Sequence, residues 1–257
     1  MTDILNEATL RAAMKTELPL LYYPSIGSTN TEARRLLHEG KTGLRLLVAG
    51  EQTAGRGRQG KRFYSPAGTG VYFSLVLPWK GETADAVTVT TAASVAVCRA
   101  LEETAGLQPQ IKWVNDIYLN GRKVCGILTE AVAPPETKAT HLIIGIGINI
   151  TTADFPQDIE NAGGLGVALS RAALVAAVCE QLLQTATKPF ESYADYYRAR
   201  SLLTGKEIRF FHNGITANAT AIGIDDSGGL IVRLTDGTLQ VLRSGEITVR
   251  ENPQVNK

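Results

Sequence analysis

The sequence predicts an α+β protein, with a β-sheet domain flanked by helices over residues 1–204 and a small all-β domain, barrel-like or a sandwich, over residues 205–257. Three observations lead there. Helix-spaced and strand-spaced apolar stretches intermingle up to Thr204. Composition changes at about that residue, and from Ile208 short apolar runs are separated by Asn213-Gly214, Asp225 to Gly229 and Asp236-Gly237, the turn chemistry of antiparallel hairpins. A length of 257 residues also suffices for one substantial core plus a small second domain.

The elements follow in order. Asn6 can cap a short packing helix to Met14, and Leu20 to Tyr23 is extended ahead of Pro24. Thr29 and Glu32 have capping-box spacing for a helix through Ala33, Leu36 and Leu37 that stops at Gly40. Leu44 to Ala49 and Val71 to Leu77 are buried strands on either side of a glycine-arginine loop. Asp85 to Thr104 is the longest helix, ended by Gly106. Gln110 to Trp113 and Ile117 to Leu119 are short strands, and Asn120-Gly121 turns the chain into a third at Lys123 to Glu130. Ala133 to Thr137 is a turn, and His141 to Ile148 is a strand whose Gly145 and Gly147 allow a ligand or another strand to come close. Ser170 caps a helix through Leu183, and another helix spans Phe190 to Arg198.

Composition excludes several classes. The hydrophobic share is 44% and the charged share 20%, ordinary for a soluble domain, and no apolar run approaches the roughly 20 residues of a membrane span. The start lacks an export signature, so a cytoplasmic address is the default. Cys98, Cys125 and Cys179 are too scattered for a disulfide framework or a zinc site and are read as small core hydrophobes. A net charge of +1 disfavours a protein organised around the nucleic-acid backbone. Positive charge is concentrated instead at Arg56, Arg58, Lys61 and Arg62, which suits a small anionic ligand.

Those residues lie in Glu51 to Lys61, where Gly55, Gly57 and Gly60 let backbone N–H groups approach an anion. The spacing fits the dinucleotide fingerprint and most of a phosphate-binding loop, but neither is followed by the helix it needs, and Arg62 stands where a magnesium-binding Ser or Thr belongs. An exposed basic loop is the competing reading. A second constellation, Lys112-Trp113-Val114-Asn115-Asp116, sets an aromatic, an amide and a carboxylate on a turn between apolar strands. Asp116 can serve Mg²⁺ on a nucleotide or merely form an Asx turn. Lys123 can meet a carboxylate or phosphate or lie solvated at the surface, and Asn149 is equally ambiguous. Ser28, Thr29 and Asn30 can cap their helix, offer a polar group a site at its N-terminus, or do both.

Taken together, Ser28-Thr29-Asn30, Gln52 to Gly60, Lys112 to Asp116, Gly121 to Glu130 and Gly145 to Asn149 resemble the biotin protein ligases in order and spacing, over about residues 20 to 250. The resemblance implies a mixed β-sheet catalytic domain of class II synthetase-like type, a barrel-like C-terminal domain and a two-step reaction. Biotin and ATP give biotinyl-5′-AMP, and a lysine of a biotin carboxyl carrier protein domain then takes the biotinyl group. It implies Arg58 and Lys123 as catalytic residues. Biotin-side residues would be Ser28, Thr29, Asn30, Gln52, Arg56, Gly57, Arg58, Lys123, Gly126 and Gly145. ATP would meet Arg56, Arg58, Lys112, Asn115, Asp116 and Asn149, with Asp116 serving Mg²⁺ through the nucleotide. The loop from Gly55 to Ser65 would order over the adenylate and exclude water.

Two positions depart from the family pattern. Val114 stands where proline is usual, removing a fixed φ and adding a backbone donor, and Gln59 stands where arginine is frequent. Some family members carry an N-terminal winged helix-turn-helix and bind DNA. About twenty-five residues precede Gly27, too few for that module, so no DNA partner is expected. A homodimer through sheet edges is implied by the resemblance. The competing functions are a lipoate or octanoate protein ligase, which shares the scaffold, and a non-catalytic biotin-binding module.

Overall fold

The computed structural model describes residues 3–80, 86–134, 139–212, 215–243 and 248–251. A seven-stranded sheet carries the first two hundred residues, in the order β1-β2-β3-β7-β6-β5-β4. Its strands are β1 (Leu20–Tyr23), β2 (Arg45–Ala49), β3 (Gly70–Pro78), β4 (Gln110–Lys112), β5 (Asp116–Leu119), β6 (Arg122–Val132) and β7 (His141–Asn149). Only β1 and β2 run parallel, so the sheet is mixed, as expected. The long central strands β3 and β7 are buried almost throughout, which explains their nearly unbroken apolar sequence.

Helices cover both faces. On one, α3 (Ala86–Ala105) packs against α4 (Arg171–Thr185), and α1 (Glu7–Ala13) lies on α4. Beneath them is the main core, which includes Phe73, Leu75, Ile144, Ile146, Val95 and Leu174. On the other face α2 (Thr29–His38) presses Ala33, Leu36 and Leu37 onto Leu47, Val76 and Ile143. Strand alternation sends neighbouring residues of β3 and β7 to these two cores in turn. Cys98, Cys125 and Cys179 are free and buried, with thiols pushed well up by desolvation, in keeping with their reading as core hydrophobes.

A five-stranded antiparallel sheet follows, in the order β11-β10-β9-β8-β12. It comprises β8 (Glu207–His212), β9 (Ile215–Ile224), β10 (Leu230–Leu234), β11 (Leu239–Leu242) and β12 (Thr248–Glu251). It is all-β, as its turn punctuation predicts. Its inward residues Ile208, Phe210, Ala219, Ala221, Leu230 and Val232 merge with the main core.

The local corrections have local causes. Asn6 caps α1 through a full capping box with Thr9, and Ser170 caps α4. The box expected at Thr29 and Glu32 does not form: the N-cap is Ser28, without a side-chain cap bond, because tertiary partners take these polar groups. The Thr29 N–H donates to Gln52 Oε1 at 2.9 Å, and Glu32 accepts from Tyr23 and Arg35. The helix expected over Phe190 to Arg198 divides at Tyr193 into a 3-10 turn (Phe190–Ser192) and α5 (Ala194–Ala199). Tyr193 breaks it by donating its hydroxyl to Thr88 O and setting its ring edge-on to Phe190. Trp113 is not part of a strand, since β4 ends at Lys112. Asp85, the Asn213-Gly214 turn and part of the Ala133 to Thr137 turn lie outside the described residues.

Candidate functional site

The sheet is stripped of side chains at one place. Gly126 on β6 pairs with Gly147 on β7, and Leu128 pairs with Gly145, so three glycines leave a depression beyond the N-terminus of α2. Neighbouring groups fill the vacated space: a Cβ on Gly145 would lie 2.1 Å from Asn30 Oδ1, and one on Gly147 would lie 2.4 Å from the Phe63 ring. Both substitutions are therefore excluded without movement of a neighbour.

The depression opens into a cavity of about 180 Å³ that collects most of the expected residues. Ser28, Thr29 and Asn30 come from the start of α2, Gln52 follows β2, and Arg56, Gly57 and Arg58 come from the glycine-arginine loop. Lys112, Asn115 and Asp116 enter from the β4–β5 turn, and Lys123, Gly126 and Gly145 from β6 and β7. Asn149 is the one expected residue outside the lining. It sits buried at the end of β7, two positions beyond Gly147, with Oδ1 lacking a partner among the described residues.

The loop is a compact hairpin. Gly57 N–H donates to Lys61 O at 2.7 Å and Phe63 N–H to Gly55 O at 3.0 Å, while Gln59 and Gly60 turn the chain at φ of 54° and 74°. Gly55 has to be glycine, because a Cβ there would come within 2.4 Å of Phe63 O. This hairpin turns Arg58 inward, where Nη1 donates to Asn115 Oδ1 at 3.0 Å. Burial pushes the Arg58 guanidinium downward and the nearby Asp116 carboxylate opposes that shift; an arginine starts so high that it stays cationic. Lys123 Nζ lies 2.6 Å from Asp116 Oδ1, and Asn115 is held by its own Nδ2 donating to Ile127 O at 2.9 Å. Lys112 stands over the Tyr118 ring, 5.3 Å from its centroid. The Trp113–Val114 peptide bond preceding Asn115 is cis.

Of the cationic residues that line the cavity, Arg56, Arg58, Lys61, Arg62, Lys112 and Lys123, two from distant sequence have contrasting partners: Lys123 is paired with a carboxylate and Arg58 is bonded to a neutral amide. In a partly dehydrated setting such charges act strongly on an anion and are already oriented to do so. Arg56 is placed differently: it lines the cavity, but its Nη1 lies 3.2 Å from Glu130 Oε1, and Arg34 reaches the same carboxylate at 2.9 Å.

Glu130, Ser74 and Phe63 carry weight that sequence reasoning did not assign. Glu130 accepts from Asn30 Nδ2 at 2.8 Å and so orients that amide. Ser74, fully buried on β3, lies 2.7 Å from both Thr29 Oγ1 and Asn30 Oδ1. One signal was available: Ser74 is the single hydroxyl-bearing aliphatic position in the apolar run Val71 to Leu77. Nothing in the sequence distinguishes Phe63, whose ring covers Gly126 and Gly147.

Known proteins resemble this chain in both of its sheet regions. The model of the biotin/lipoate A/B protein ligase family matches residues 22–149, and that of the biotin protein ligase C-terminal domain matches residues 204–250. The bifunctional ligase/repressor BirA of Bacillus subtilis is 34% identical over 251 residues, covering 92% of this chain and 77% of that protein. The biotin--[acetyl-CoA-carboxylase] ligase of Paracoccus denitrificans is 32% identical over 235 residues, covering 86% of this chain and 96% of that one. Among solved structures, the biotin protein ligase of Aquifex aeolicus in complex with biotin and ATP superposes with a TM-score of 0.76 at 26% identity, covering 92% of this chain and all of that one.

Proposed function

This chain belongs to the biotin/lipoate A/B protein ligase family, and we propose that it activates biotin with ATP and transfers the biotinyl group to a lysine of a biotin carboxyl carrier protein domain. In the first step a biotin carboxylate oxygen bonds to the α-phosphorus of ATP, the bond to the β-phosphate oxygen breaks, and pyrophosphate leaves. In the second, the amine of the acceptor lysine attacks the biotinyl carbonyl and AMP departs, with one proton released from the nitrogen.

The observation that carries this reading is the meeting of Arg58 and Lys123 in one cavity with Asn115, Asp116 and the Ser28 to Asn30 row. Joining a carboxylate to a phosphate brings like charges together, so the site must supply fixed positive charge where negative charge concentrates. Arg58 and Lys123 are the catalytic residues on this reading. Lys123 exchanges its Asp116 partner for the incoming carboxylate and phosphate, and Arg58 approaches on the hairpin. Ser28, Thr29, Asn30 and Gln52 read the polar ureido ring, with the backbone of Arg56 and Gly57 beside them, while Gly126 and Gly145 let Phe63 and Asn30 settle beside the ligand. Lys112, Asn115 and Asp116 face the nucleotide, and Asn149 borders it from the end of β7.

Mg²⁺ enters with ATP. Among the described residues no three His, Cys, Asp or Glu side chains gather to hold an ion. The single carboxylate of Asp116 fits an ion held chiefly by phosphate oxygens and water, and such an ion would neutralise phosphate charge. Residues 1–204 act as the catalytic domain and 205–257 as the small C-terminal domain. The proposal also takes the cytoplasm as the working compartment, a homodimer as the assembly and no DNA as partner.

Biotin-dependent exchange of labelled pyrophosphate into ATP tests activation, and labelling of a carrier domain with biotin against lipoate tests the acyl group. Exchange that needs biotin, followed by biotinylation alone, is the expected result. Lipoylation in its place would move the chain to the lipoate branch of the family, and a folded sample that binds biotin without exchange would make it a binding module.

A further inference from the structure

Ser74 does not line the cavity, yet it touches two residues that do. It stands in the middle of β3, opposite Gly145 on β7, and is fully buried. The missing side chain at Gly145 admits the Asn30 amide, and Ser74 receives that amide from the neighbouring strand. A buried hydroxyl at such a place needs its partners, and the directions of its bonds follow from the chemistry of the groups around it.

Asn30 Nδ2 lies 2.8 Å from Glu130 Oε2 and 3.2 Å from Leu128 O, two groups that only accept. The amide is therefore oriented with Oδ1 toward Ser74, and Oδ1 can only accept. The one Ser74 proton goes to Asn30 Oδ1. The equally short contact between Ser74 Oγ and Thr29 Oγ1 is then closed by the proton of Thr29, whose other acceptor, Gln52 Oε1, is farther away at 3.2 Å. Gln52 is fixed in the same way: its Oε1 accepts from the Thr29 N–H at 2.9 Å, its Nε2 donates to Ser65 Oγ at 3.0 Å, and Ser65 donates to Phe63 O at 3.1 Å. The result is two runs of hydrogen bonds that diverge from Thr29, one through Ser74 and Asn30 to the β6 carboxylate and the other through Gln52 and Ser65 to the hairpin backbone.

We propose that Ser74 is a positioning residue which sets the polarity of the ligand-reading row: by taking the Thr29 proton it leaves Thr29 Oγ1 facing the cavity as an acceptor, suited to a ligand N–H. This rests on the functional reading above, in which the ligand is a cyclic urea with two N–H groups. An acyl chain without an N–H would gain nothing from the arrangement. Removing the Ser74 hydroxyl orphans Asn30 Oδ1 in a buried site and leaves the Thr29 proton to divide between Gln52 Oε1, at 3.2 Å, and the cavity, where it opposes a ligand donor.

The test is biotin binding by calorimetry, together with steady-state kinetics, for Ser74→Ala, Ser74→Cys, Thr29→Val and the Ser74→Ala/Thr29→Val double variant, each first shown to be folded. Ser74→Ala should raise the Kd for biotin about tenfold or more, with kcat at saturating biotin and the KM for ATP within about threefold of the parent. Ser74→Cys keeps the shape but only a weak donor and should weaken binding as well, providing the readout if the alanine variant fails to fold. The double variant should lose less than the product of the two single losses, because both act on one contact. Unchanged biotin affinity in the folded Ser74 variants, or losses that multiply, would overturn the assignment. Failure of the parent protein to bind biotin would instead overturn the functional reading itself.

Discussion

Arg58 shows how one side chain can be placed for an anion before any anion arrives. It is withdrawn from water, which pushes its guanidinium downward, and the bond it makes is to the neutral Asn115 amide at 3.0 Å. A carboxylate or phosphate would be a far stronger acceptor, and the guanidinium fork can meet it without giving up that orientation. Arg58→Ala should therefore weaken biotin binding and speed release of the adenylate together, each by about 10- to 100-fold, as loss of a charge-assisted hydrogen bond implies. Calorimetry and a filter assay for retained adenylate would check both; unchanged retention would mean the hairpin does not close on the intermediate. Among the glycines of the cavity Gly145 has the least room for a side chain. Gly145→Ala should drive Asn30 out of its place, costing about 1–3 kcal/mol of stability and most of the biotin affinity, as overpacking beside a buried amide does. Denaturant melts and biotin titration measure the two effects separately.

At the scale of elements, the hairpin between β2 and β3 and the N-terminus of α2 face each other across the three-glycine depression. Phe63 rides on the hairpin and covers Gly126 and Gly147, so the space open at about 180 Å³ is smaller than the roughly 300 Å³ at which ligand pockets usually begin. On the proposed function, the Phe63 ring and the hairpin held by the Gly55 and Gly57 bonds are what stand between the substrates and the three-glycine depression. The strands and helices behind the site respond to pH instead. Burial raises both Tyr72 on β3 and Tyr193 before α5 to about 12, from 10.0. An acid whose folded pKa is raised holds its proton in the fold after the unfolded chain has lost it, so the contribution is intact below pH 10 and is lost as pH rises to about 12. Thermal melting should be insensitive to these two groups near neutrality and fall steeply across that interval. Absorbance of tyrosinate should show them ionising only with unfolding; early titration of both would contradict their burial.

For the whole molecule, the decisive contact joins the two sheets. Trp113, immediately ahead of Asn115 and Asp116, donates its indole N–H to Gly228 O at 2.8 Å, and Gly228 lies in the β9–β10 turn that Asp225 organises by accepting from the Ser227 and Gly229 N–H groups. Ile111 and the segment after α5 add backbone bonds at the edge of β4, from Ile111 N–H to Arg200 O and from Leu202 N–H to Ile111 O. The small sheet thereby braces the turn assigned to the nucleotide and not the one assigned to biotin. Trp113→Phe should raise the KM for ATP about 5- to 10-fold, consistent with losing a buried hydrogen bond worth about 1 kcal/mol or somewhat more, and leave the biotin Kd within about twofold. A change confined to biotin would mean that the brace serves the other half of the site.

The sequence by itself determined the order of most elements, the all-β second sheet and the list of polar clusters. Hydrophobic periodicity, caps such as Asn6 and Ser170, and turn pairs such as Asn120-Gly121 act over a few residues, so they can be read without knowing the fold. The family resemblance added which of those clusters belong together. Only the tertiary structure decided that Ser28 caps α2 without a side-chain bond, that Tyr193 breaks a helix, that Arg56 turns to Glu130, and that Ser74 stands behind Thr29 and Asn30. In each case the deciding partner lies far along the chain. A buried polar group takes whichever partner the packed sheets bring within hydrogen-bonding distance, and that distance is fixed by strand register across the sheet, which no local pattern of residues records.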